Sequence, residues 1–82
     1  MEEKIKAFID SMKDSEFVTE FKVAEFPLAF FWEFAYHIQG RLAGKFFKIS
    51  ISKEKDKPQK VDIKEMTECE DAIYELLKAF EI

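Results

Sequence analysis

Glycine is nearly missing from this chain. Among its 82 residues there are two, Gly40 and Gly44. Their number and spacing rule out GxGxxG and GxxxxGK loops, the common backbone cradles for phosphate. Cysteine is scarcer still: Cys69 stands alone, so no disulfide forms within the chain, and a reducing compartment suits it. His37 is the single histidine, and no cluster of His, Cys, Asp and Glu has metal-ligand spacing. No metal and no cofactor are therefore expected, and the chain does not read as an enzyme. No apolar run approaches the ~20 residues of a membrane-spanning helix. The opening MEEKIKAFIDSMKD also lacks the apolar centre of a signal peptide. These absences point to a soluble cytoplasmic protein with no membrane role.

Aromatic residues, by contrast, are plentiful: ten Phe, two Tyr and one Trp. Each large ring can bury roughly 150–250 Å². A chain this short makes one domain, residues 1–82, near the size where a single core becomes marginal. Some aromatic surface is thus expected at an interface. Charge is unevenly spread around a net −4. Residues 45–64 carry seven basic and three acidic groups, whereas residues 65–82 carry one and six.

Ile5, Phe8, Ile9 and Met12 fall at helical spacing, predicting a surface helix that ends near Lys13-Asp14-Ser15. In residues 17–25, Phe17, Thr19, Phe21 and Val23 share one parity, predicting a strand. KFFKISISK (45–53) and KVDIKEM (60–66) alternate more cleanly, with the polar EKDKPQ between them as a loop. Thr67 and Glu70 have capping-box spacing ahead of the apolar stripe Ala72, Ile73, Leu76, Leu77 and Phe80, a helix of about four turns. Cys69 then belongs to the apolar side of that helix.

PLAFFWEFAYHIQ, residues 27–39, is ambiguous. Phe30 to Tyr36 holds five aromatics in seven positions. As a strand it points Leu28, Phe30, Trp32, Phe34, Tyr36 and Ile38 to one face, leaving Phe31 as a misfit on the other. As a helix it gathers Glu33, His37 and Arg41 into a polar stripe. Aromatic density favours the strand, and GRLAG then reads as a hairpin loop bracketed by the two glycines. The expected fold is α+β in two layers. An antiparallel four-stranded meander is covered on one face by N- and C-terminal helices (α-β-β-β-β-α), with α-β-α-β-β-α as the alternative. The uncovered face collects Glu20, Lys22, Glu33, His37, Lys48, Ser50, Asp62 and Lys64. On it, Glu33 and His37 lie roughly 13 Å apart at ~3.3 Å per residue, too far for a direct pair.

Two functional readings follow. The aromatic surplus favours a non-catalytic protein-interaction or regulatory module, self-associating as a homodimer or holding another protein. Its contacts would be Phe26, Phe31, Trp32, Tyr36 and Phe46. Small size without a catalytic set would suit a phage, immunity or antitoxin-like regulator. The alternative is an auxiliary nucleic-acid-binding protein using the hairpin lysines Lys45, Lys48, Lys53, Lys55, Lys57, Lys60 and Lys64. That segment has no arginine and only Phe46 as an off-pattern stacking residue, which weighs against it.

Overall fold

The computed structural model describes residues 2–26 and 31–82. Helix α1 spans Glu2–Asp14, and four strands follow: β1 Val18–Glu25, β2 Trp32–Leu42, β3 Lys45–Glu54 and β4 Lys60–Ile63. Helix α2, Glu70–Ala79, completes the order. The strands pair antiparallel in chain order, β1-β2-β3-β4. The aromatic stretch is therefore a strand from Trp32 onward, while Pro27, Leu28, Ala29 and Phe30 lie outside the described residues.

Residues directly opposite in antiparallel strands share a face. Ile38 pairs with Ile49 and Ile49 with Ile63; Tyr36 pairs with Ile51 and Ile51 with Val61. These rows make the apolar face. The helices cover it with Ile5, Phe8 and Met12 from α1, and Ile73 and Leu77 from α2, all buried. The residues that follow α2 also touch α1: Phe8 meets Phe80 edge-on with centroids 5.8 Å apart, and Lys4 pairs with Glu81 at 3.0 Å.

Two β-bulges shift the alternation. In β1, Thr19 faces Arg41 and Lys22 faces Gln39, so Glu20 and Phe21 together oppose Gly40. Glu20 absorbs the extra residue in the left-handed region, at φ 53°. Upstream of this bulge the parity inverts. Val18 and Phe21 pack on the core, whereas Phe17 and Thr19, expected inside, are exposed. In β2, Trp32 faces Glu54 but Phe34 faces Lys53. Trp32 thus joins the parity of Ser50 and Ser52, on the uncovered face, and not that of Phe34 and Tyr36.

Gly40 is not a loop residue, as the GRLAG spacing had implied. It sits inside β2 opposite Phe47, and the turn is the two-residue Ala43-Gly44, with φ 51° and 82°. Positive φ at both central positions marks a type I′ hairpin turn. Alanine is poorly suited there, and asparagine tolerates that region better. Ala43→Asn should therefore raise stability by about 0.5–1 kcal/mol, visible as a higher urea midpoint.

The expected capping box also gives way to another arrangement. α2 begins at Glu70 with Cys69 as N-cap and no side-chain cap hydrogen bond. Thr67 instead accepts from the Lys48 N–H at 3.0 Å and donates to the Lys48 carbonyl at 3.1 Å. Glu68 accepts from the Phe46 N–H at 2.7 Å, and its own N–H donates to the Phe46 carbonyl at 2.8 Å. β4 ends at Ile63, short of the expected Met66, and this segment satisfies the β3 edge that it leaves unpaired. An edge carbonyl and N–H in need of partners outcompete a helix cap. α2 is correspondingly shorter than expected, 10 residues or about three turns.

Candidate functional site

The helices leave the second face of the sheet uncovered, and the register dictates what it carries. One row runs Lys22–Gln39–Lys48 across β1, β2 and β3, and Lys64, whose N–H donates to the Lys48 carbonyl at 3.0 Å, continues it past β4. The next row is Ala24–His37–Ser50–Asp62. Beyond it Ala35 faces Ser52, which faces Lys60, and Phe26 joins by donating its N–H to the Ala35 carbonyl at 3.1 Å. The ends of the face are aromatic. Phe46 stands opposite Arg41 at one end and Trp32 opposite Glu54 at the other. Phe26 meets His37 at a centroid distance of 4.6 Å.

Ion pairing sorts the cations. Arg41 binds Glu20 at 2.7 Å and also donates to the Gly44 carbonyl at 3.1 Å. Lys64 pairs with Asp62 at 3.1 Å, Lys57 with Glu54 at 2.8 Å and Lys53 with Glu33 at 3.3 Å. Lys22, Lys48 and Lys60 have no ion-pair partner among the described residues. The acids on the open face are thus largely matched, and it keeps a surplus of positive charge in a chain of net −4.

The hairpin lysines do not act together. Lys48, Lys60 and Lys64 lie on the open face. Lys45, opposite Leu42, and Lys53, opposite Phe34, have the helix-side parity. Lys55 and Lys57 lie beyond the end of β3, in the connection to β4. Strand alternation had put Lys22 and Lys48 on one face; the cross-strand register adds that they stand in the same row.

The aromatic candidates also separate. Phe26 and Phe31 are 45% and 63% exposed. Trp32 and Phe46 are half-buried on the open face. Tyr36 is no contact residue at all: it is 3% exposed, on the helix side, where its hydroxyl donates to Glu2. Burial first, then the hydrogen bond and charge of Glu2, with Glu25 adding, hold its pKa well above the ordinary phenol value. Strand parity had already aimed Tyr36 at the core, and the helix terminus carrying Glu2 supplies the acceptor that its hydroxyl requires.

Cys69 is half-buried, its Sγ 3.7 Å from the Lys45 carbonyl and 3.9 Å from that of Phe46. Burial pushes its thiol pKa up, although Lys45 pulls the other way. Among the described residues no group of three or more His, Cys, Asp or Glu side chains is arranged to hold a metal ion. No described helix is long and apolar enough to cross a membrane. No protein-family model matches the chain, nor does any curated protein or solved structure.

Proposed function

We propose that the protein is a binding module that holds a single-stranded nucleic acid on the open face of its sheet. The observation that carries this reading is the lysine row. Lys22, Lys48 and Lys64 stand in line across the sheet, with strands about 4.8 Å apart. Aromatic side chains bound the face at either end. Cations that track a backbone, together with rings that stack on bases, are the two ingredients of single-strand recognition. A duplex hides its base faces and offers nothing to Trp32 or Phe46. The hairpin lysines alone lacked exposed rings and an arginine. The fold adds the exposed Phe26 and the half-buried Trp32 to the same face, where Arg41 is held by Glu20.

Anisotropy titration of a labelled single-stranded oligonucleotide against salt tests the proposal. Phosphate contacts from the three lysines without an ion-pair partner among the described residues, Lys22, Lys48 and Lys60, predict a slope of log affinity on log salt of about −2, at about −0.7 per contact on single strands. Replacing both Lys22 and Lys48 by alanine should flatten the slope to about −0.7 and weaken binding at low salt, while Lys6→Ala on α1 changes neither. Failure of the wild type to bind at low salt would overturn the proposal.

A protein partner, with a second copy as the simplest case, has its own supporting observation. β1 is an edge strand, and Phe17, Val23 and Phe26 are 63%, 39% and 45% exposed along it. Unpaired edges with apolar side chains recruit further strands. Sedimentation across a concentration series should then show a dimer that Val23→Lys abolishes. A strict monomer at high concentration would leave only a foreign partner for this edge.

A further inference from the structure

The β2 bulge does more than rotate one side chain. It sets Trp32 beside the start of β4, where the indole forms a wall of an open groove of about 550 Å³. Pro58 and Val61 add apolar surface, Ser52 and Gln59 add groups that both donate and accept, and Lys60 adds a cation. Glu54 also borders the groove, with its charge met by Lys57 at 2.8 Å. The volume falls within the ~300–1,000 Å³ of small-ligand sites, which are mostly apolar with a few placed polar groups.

We infer that this groove is a nucleobase subsite: one base stacks on Trp32, its edge meets Ser52 and Gln59, and its phosphate meets Lys60. The inference rests on the single-strand reading of the open face and deepens it, because it assigns one end of the bound strand. Lys48 and Ser52 are four residues apart on β3, about 13 Å at ~3.3 Å per residue, and Lys60 stands opposite Ser52. A stacked strand advancing about 3.4 Å per nucleotide covers that distance in about four nucleotides. The groove thus lies about four nucleotides from Lys48, so a short oligonucleotide that crosses the sheet on the lysine row reaches it by turning along β3. Ser52 and Gln59 can each switch between donor and acceptor, so the subsite accepts different bases.

Trp32 is the only tryptophan in the chain, so emission reports this groove directly. The probes are a ten-residue oligothymidylate and an abasic sugar-phosphate strand of the same length. The oligothymidylate should quench Trp32 emission strongly and the abasic strand should not. Trp32→Ala should weaken oligothymidylate binding by about 5- to 150-fold, the range for losing one stacked base, and leave the abasic strand's affinity unchanged. Trp32→Phe keeps a ring and should retain most of the affinity, which separates stacking from a folding defect. If oligothymidylate binds without quenching, and Trp32→Ala binds both strands as the wild type does, the subsite is wrong while the reading of the face stands. If neither strand binds, both are overturned.

Discussion

Phe47→Ala is expected to cost about 3–5 kcal/mol, the range for deleting a fully buried phenylalanine. Phe47 is 0% exposed, in the middle of β3. Its same-face neighbours on β3 are Lys45 and Ile49, and it lies directly opposite Gly40. A glycine offers no side chain that could lean into the vacated space, so the cavity persists and its cost adds to the lost transfer energy. Domains of this size are stable by about 4–12 kcal/mol at 0.05–0.15 kcal/mol per residue. The loss is therefore about a quarter or more of the total, and the variant moves well toward its unfolding midpoint. Urea titration followed by circular dichroism should show a shortened or absent native baseline; a midpoint within error of the wild type would contradict this account of the core.

Gly40→Val is the second large effect, and it works by crowding. A Cβ built on Gly40 would lie 3.1 Å from the Thr19 carbonyl oxygen, 3.2 Å from Phe47 Cζ and 3.3 Å from Phe21 Cα. Two of these neighbours are backbone, belonging to the β1 bulge. Here the glycine is required by close approach, not by its own dihedral angles. Even the alanine variant must push the bulge aside, at about 1–3 kcal/mol, and valine adds two methyl groups to the same space. Phe47→Leu in the same chain should rescue Gly40→Ala only in part. It clears one contact and leaves the two from β1, so a double-mutant cycle should show coupling without full recovery. Full recovery would mean that the bulge does not crowd this position.

The architecture was legible in the sequence because most of it depends on periodicity. The alternation of Phe47, Ile49 and Ile51, and the helical spacing of Ile5, Phe8 and Met12, lead directly to the observed elements. Less legible were the places where one residue is inserted. Neither Glu20 nor Glu33 has a side chain that announces a bulge, yet each inverts the parity beyond it. Gly40 was misread for a related reason: a glycine needed for close approach resembles a glycine needed for a turn until the neighbouring strand is in place. Thr67 misled because its hydroxyl has two suitable destinations, and only the length of β4 decides between them. Lys48, Lys60 and Lys64 of the candidate face were identifiable as hairpin lysines. Alternation also put Lys22 on the same face, but Trp32 was not identifiable as their companion, since the β2 bulge places it there.

Strand order that equals chain order also has a kinetic consequence. Every pairing in the sheet joins segments adjacent along the chain, and β2 and β3, its two longest strands, are linked by the tight turn at Ala43-Gly44. Contacts of short sequence separation close small loops and favour rapid folding. β2–β3 can thus zip from its turn outward before either helix docks. β1 and β4 then add from opposite sides without threading past a strand already in place.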